Sequence, residues 1–229
     1  MKRLILAIAL LCAAGCATAN TRLASEDLPR PPAGSRILIV QPDVSLALLT
    51  AVGVQEARAD WSQQGRDNIA AQLTTAMAAK NHAAEAFNPT DAVDGRVGQV
   101  LRLHKAVGES ILFASYGPIP LPTKKKNFQW TLGEGAQELS RAAGDANYAL
   151  FTFARGTYSS SGRAAMAVVG ALAGVAIPTG QQQVFASLVD LRTGQVLWSN
   201  VVIASPNSDM REGAGAEALV KLLLKDAPL

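Results

Sequence analysis

Hydrophobic and polar positions follow two periods along this chain. Short apolar or alternating runs predict strands at Arg36–Val40, Ala83–Phe87 and Asn147–Ala154. Two further runs, Gln183–Leu191 and Gln195–Ala204, are rich in β-branched and aromatic residues. Arg192-Thr193-Gly194 between them fits a hairpin whose glycine takes the left-handed bulge position. A spacing of three to four predicts helices. Ile69, Leu73 and Met77 mark one from about Trp61 to Lys80, with Asp60 as N-cap and Gln63 as its capping-box partner. Val93, Val97, Val100, Leu101, His104, Val107 and Ile111 make a second stripe, with Thr90 as its cap. Thr131 and Glu134 form a capping box for a helix ending at Ala143, before Gly144. Asp209 and Glu212 open a last helix with Leu219, Leu222 and Leu223 facing inward, ending near Asp226. Asp43 to Ala59 has no clear period and is expected to be a loop with at most a short element.

Strands interleaved with helices, with an antiparallel pair late, predict an α/β fold. It is a mixed β-sheet covered by helices in two or three layers, ending in an antiparallel hairpin and a C-terminal helix. The 229 residues suit one good-sized domain. The boundaries expected are 1–15 for an export signal, 16–35 for a tether and 36–229 for the domain.

The front end sets the address. Lys2 and Arg3, the apolar run Leu4–Leu11 and the small residues Ala13-Ala14-Gly15 before Cys16 have the layout of an export signal. The apolar run is too short to anchor by spanning. Ala13-Ala14-Gly15-Cys16 resembles the lipobox of bacterial lipoproteins, with Ala13 where that family usually has Leu. The resemblance implies cleavage before Cys16 and its lipidation. A residue other than Asp next to it, here Ala17, implies sorting to the outer membrane, facing the periplasm. Ala17–Ser35 is polar and aperiodic, a tether with an end-to-end distance of roughly 25 Å.

Composition narrows the chemistry. Cys12 leaves with the signal and Cys16 takes lipid, so the domain has no thiol for a disulfide, a nucleophile or a metal. Without Lys2 and Arg3 the 21 basic residues become 19 against 18 acids, and a net charge of +1 makes no case for nucleic acid. No phosphate-binding loop, nucleophile elbow or zinc-protease motif is present. Gly213-x-Gly215-x-x-Ala218 matches a dinucleotide loop only superficially, so no cofactor is expected. His82 with Glu85 lacks a third ligand, and His104, on an apolar stripe, is read as a packed histidine, so no metal is expected. Lys124–Lys126 beside Phe128 and Trp130 is read as a solvated turn, with contact to anionic lipid as the other reading.

One segment fits no simple template. From Arg163 to Ile177 the chain is apolar nearly all round, too short to span a membrane, and closed by Pro178. Gly170 and Gly174 would let another backbone approach. Three fates stay open: packing in the core, lying on a bilayer, or pairing with a partner. The contact expected is at Gly170, Leu172, Gly174 and Val175.

Asp145–Phe151 and Val184–Ser199 resemble the closing strands of bacterial envelope lipoproteins with the TolB-N-terminal-like fold, such as CsgG and the penicillin-binding-protein activator LpoB. The pattern from Asp190 through Gly194 to Trp198 carries the likeness, with Gly194 turning the hairpin and Trp198 packing against it. It implies architecture and compartment more than activity. Arg163–Ile177 lacks the alternation a pore hairpin needs. The function expected is a non-enzymatic, lipid-anchored envelope protein that binds another envelope protein or itself. A carrier sheltering an apolar ligand beneath 163–177 is the alternative, and a hydrolase using His82 or His104 the third reading.

Overall fold

The computed structural model describes residues 18–24, 30–92, 94–118, 121–124 and 128–229. The export signal, Cys16, Val93, Pro120 and Lys125–Asn127 lie outside the described residues. Eight strands form one sheet: β1 (Thr18–Leu23), β2 (Arg36–Val40), β3 (Asp43–Leu49), β4 (Gln55–Ala57), β5 (Ala83–Phe87), β6 (Tyr148–Ser159), β7 (Gln182–Asp190) and β8 (Val196–Ile203). The helices described are α1 (Ala59–Ala79), α2 (Gly95–Ile111), α3 (Gln137–Ala142), α4 (Ser161–Leu172) and α5 (Gly213–Leu223).

The strand order is β1-β8-β7-β6-β2-β5, with β3 also on β6 and β4 on β3. β2 lies parallel to β5 and β6, and β3 parallel to β6. The β6–β7, β7–β8 and β1–β8 pairs are antiparallel. The sheet is therefore mixed, and the fold is α/β. Long β6 has two partners in succession on one edge, β2 along Tyr148–Leu150 and β3 along Phe153–Ser159. Gln41-Pro42 separates these two partners.

Each face of the sheet has a buried layer. Ile37, Ile39, Leu150, Leu188 and Trp198 pack with Ile69, Leu73 and Met77 of α1 and Leu219 and Leu223 of α5. Leu38, Val40, Phe151, Phe185 and Val201 pack with Val100 and Ile111 of α2 and Leu139 of α3. Alternation along β2 sends neighbouring side chains to opposite faces, which makes three layers. Buried Asn200 of β8 donates to the carbonyls of Leu222 and Leu223, at 3.2 and 2.7 Å, and so closes the C-terminal end of α5.

Three expectations change. The aperiodic stretch 43–59 holds two strands and the first residue of α1. Its strand β3 has Val44, Leu46 and Leu49 buried on alternating or nearly alternating positions, but a seven-residue strand ending in Leu-Ala-Leu-Leu has little polar contrast to show. The tether is not a tether over its first part: Thr18–Leu23 is edge strand β1, in register with β8 from Thr18↔Ile203 to Leu23↔Trp198. Arg22 fastens it by donating to the Ser115 carbonyl at 3.1 Å. Partner strand β8 supplies the ladder bonds, which a polar sequence accepts as readily as an apolar one. The capping boxes do not form either. Asp60 is held by the Arg58 guanidinium at 2.9 and 2.5 Å, Gln63 reaches Asp67 at 2.9 Å, and α1 starts from Arg58 without a side-chain cap. Thr131 Oγ1 accepts instead from the Gly133 N–H at 2.8 Å, and a 3₁₀ turn precedes α3.

Candidate functional site

The sheet has two ends of opposite character. At one end β7 and β8 meet in a tight turn. Asp190 Oδ1 accepts from the Arg192 and Thr193 N–H groups at 2.8 and 3.3 Å, and the Gly194 N–H donates to the Asp190 carbonyl at 2.7 Å. Gly194 has φ +73° and lies against the Gly133 backbone, so both conformation and space demand glycine there. Asp190 and Gly194 thus act as expected in the turn. Trp198 is fully buried in the α1/α5 layer, opposite Leu188 of the other hairpin strand. Phe128, Trp130 and Lys124 belong to this end: the Trp130 carbonyl accepts from the Val196 N–H at 2.9 Å, and Lys124 stands 4.6 Å over the Trp130 ring.

At the other end the chain leaves β6 at Ser159 and returns to β7 only at Gln182. Antiparallel neighbours need as few as two residues to connect. Here residues 160–181 make α4 and an irregular return. Ser160 caps α4 by accepting from the Arg163 N–H at 3.1 Å. Arg163 donates to the Ala51 carbonyl at 3.3 Å and the Pro178 carbonyl at 2.9 Å, tying the helix to the β3–β4 loop and to its own return. The Val175 N–H donates to the Gly170 carbonyl at 2.7 Å, and a Cβ on Gly170 would meet Ile177 Cδ1 at 2.8 Å.

This arrangement removes one of the three fates of 163–177. The segment is not core. Only Gly170 of α4 is buried, Arg163 and Ala167 are half-buried, and the rest is exposed. Met166, Val168, Val169 and Leu172 spread over an arc of about 160° at 100° per residue, and Leu172 is 85% exposed. The close approach expected at Gly170 is filled by the chain's own Ile177. Gly174 ends the helix with φ +74° and open space around it, while Leu172 and Val175 are exposed. Val52 and Val54 of the β3–β4 loop stand exposed beside α4, joined to it through Arg163. Seven of the ten exposed large hydrophobic side chains among the described residues therefore gather at this end. Val52 and Val54 escape a sequence reading because nothing local shows that their loop meets α4. No helix among the described residues is long and apolar enough to cross a membrane.

A second feature lies on the α2 face. A cleft of about 270 Å³ is lined by Val40, Leu101, His104, Phe151, Thr152 and Phe153, among others. It does not lie beneath α4, where a ligand shelter was expected. His104 Nε2 sits 2.8 Å from Ser187 Oγ, and its ring stacks on Phe151 with centroids 3.6 Å apart. Burial pushes its imidazole down to about 3, so it is neutral near neutral pH. A serine beside a histidine has the chemistry of a nucleophile and its base. Ser187, however, has no exposed surface, and no carboxylate hydrogen-bonds to His104 among the described residues. The pair joins two polar groups in an apolar layer, as the packed-histidine reading expects, and Ser187 as its partner is visible only through the β7 register. His82, between α1 and β5 in the chain, is buried without Glu85, which pairs with Arg36 at 3.1 Å; burial lowers the His82 pKa. No group of three metal-binding side chains occurs among the described residues.

No family model matches the chain, and no curated protein does. Among solved structures it is similar to the PelC dodecamer from Paraburkholderia phytofirmans in two crystal forms. One match has 17% identity and the other 14%, each with a TM-score of 0.41 and covering 93% of this chain and 98% of that one.

Proposed function

We propose that this chain is a lipid-anchored domain of the bacterial envelope that acts by contact, holding another envelope protein or further copies of itself at the outer membrane. One observation carries the reading. β1 begins at Thr18 beside Ile203, at the same end of the sheet as the exposed apolar cluster. Ile203 is in register with Gln183 of β7, which is in register with Arg155 of β6. Three strand spacings from β1 to β6 amount to about 14 Å. Cys16 precedes Thr18 by two residues, a reach of about 7 Å at most. A lipid on Cys16 would therefore hold this end of the sheet close against the membrane rather than on a long leash.

The test has two parts. Cells expressing the chain are labelled with a palmitate analogue, and envelopes are crosslinked and the protein recovered. Label that disappears in Cys16→Ala, together with a defined crosslinked partner or homo-oligomer, is the expected result. An unacylated protein, or turnover of a defined metabolite lost in His104→Ala or Ser187→Ala, overturns the reading.

One observation favours the carrier reading as the second. The His104 cleft is largely apolar and includes Thr152, whose buried hydroxyl has no hydrogen-bond partner. Native mass spectrometry of protein purified without detergent should then show a bound apolar molecule that is lost when Leu101→Trp fills the cleft.

A further inference from the structure

We propose that α4, its return 173–179 and the β3–β4 loop 50–54 rest directly in the headgroup–acyl boundary of the bilayer, as a protein-made seat beside the lipid anchor. The inference rests on the anchored reading for the identity of the membrane, but its own observations concern the apolar end alone.

The first observation is composition in place. No ionisable side chain occurs between Arg163 and Asp190, and none between Asp43 and Glu56. From Ala164 to Pro178 there is no polar side chain of any kind. A protein partner is recognised through roughly one hydrogen bond per 100–200 Å² of interface, and the run 164–178 has no side chain to make one. A bilayer demands none. Contiguous exposed apolar surface of this kind marks a membrane or interaction site.

The second observation is shape. α4 turns the narrow stripe Arg163, Ala167 and Gly170 inward, towards the β3–β4 loop and its own return, and presents Met166, Val168, Val169 and Leu172 across the opposite arc. Val52, Val54 and Val175 add to that surface. A flat partner would cover one side of such a projection, whereas lipid surrounds it.

The third observation sets the depth. Twelve residues of α4 measure about 18 Å, too short to cross a hydrocarbon core of about 30 Å. The return beyond Val175 is irregular backbone, which the hydrocarbon excludes. The side chains of α4 therefore enter the acyl boundary while the return stays among the headgroups. Arg163, at the base of the helix, marks the polar side of the seat.

The consequence for the rest of the molecule is orientation. The hairpin turn at Gly194, with Lys124 and Trp130, points away from the membrane, so Lys124 and Trp130 meet no lipid headgroup.

The experiment uses the lipoprotein purified from a bacterial envelope and reconstituted into vesicles of phosphatidylethanolamine and phosphatidylglycerol. Val168→Cys, Leu172→Cys and Val52→Cys are each labelled with an environment-sensitive fluorophore, with Glu217→Cys as the distant control. Emission at 168, 172 and 52 should shift to the blue and be quenched by doxyl-labelled phospholipid, at least threefold more than at 217. In the Val169→Asp, Leu172→Asp double variant the probe at 52 should lose that quenching while the protein still floats with the vesicles. These side chains touch little of the body, so an unchanged melting temperature is expected, and the wild-type quenching pattern stands without the variant. Probes that remain in water on floating vesicles overturn the seat but not the anchor. Blue-shifted probes that lipid does not quench, with Leu172→Cys crosslinks between copies, overturn it in favour of a second copy. Two labels per chain and no flotation report a free Cys16, and show failure of the anchored reading instead.

Discussion

The two elements that flank β7 along the chain, β8 after it and α4 before it, put similarly apolar sequence to opposite ends. On one side β7 turns into β8 through Asp190–Gly194, and both strands are nearly fully buried. On the other side β6 reaches β7 through α4, as apolar as either strand and almost entirely exposed. Hydrophobicity states that a segment gains by leaving water. It does not state whether the chain's own layers, a partner or a bilayer will receive it. Here both faces of the sheet are already covered, by α1 and α5 on one side and α2 and α3 on the other. A further apolar helix inserted at a strand end finds no uncovered layer to join.

The largest expected effect follows from that contrast. Trp198→Ala should lower stability by about 3–5 kcal/mol in urea unfolding, while Leu172→Ala should change it by no more than about 0.5 kcal/mol. Equal losses at the two sites would dissolve the distinction.

Acid should separate the regions next. Burial holds the His104 imidazole near 3, against an ordinary value of 6.5. The unfolded chain takes up a proton there more readily than the fold does. The stabilisation this gives is complete above about pH 6.5 and is lost as pH falls towards 3. In His104→Gln the loss of stability across that window should shrink, as read from the melting temperature at each pH. The α4 segment has no ionisable group beyond Arg163 and should contribute nothing to the slope.

Glycine substitutions sharpen the comparison at the turns. Gly194→Ala combines a left-handed backbone with a collision against Gly133 and should cost about 2 kcal/mol or more. Gly174→Ala has the same sign of φ but open space, and should cost about 1 kcal/mol. The smallest effect belongs to Arg163→Ala. It should leave global stability within about 0.5 kcal/mol while hydrogen exchange over 160–181 quickens, because its two carbonyl contacts serve that end alone.

Local order was largely legible from residue types. Arg36–Val40 and Ala83–Phe87 are strands with those bounds, the late hairpin turns at Gly194, and Ile69, Leu73 and Met77 form the buried stripe of α1. These elements follow from periodicity and from glycine's access to positive φ, both of which act over a few residues. The three-layer form, the β1 strand in a polar stretch and the pairing of His104 with Ser187 arise from contacts between residues far apart in sequence. Strand pairing bonds backbone to backbone, so the side chains of Thr18–Leu23 need not announce it. The outward position of α4 is of the same kind. Its composition announced an apolar segment, but its exposure depends on four other helices having taken the sheet's two faces.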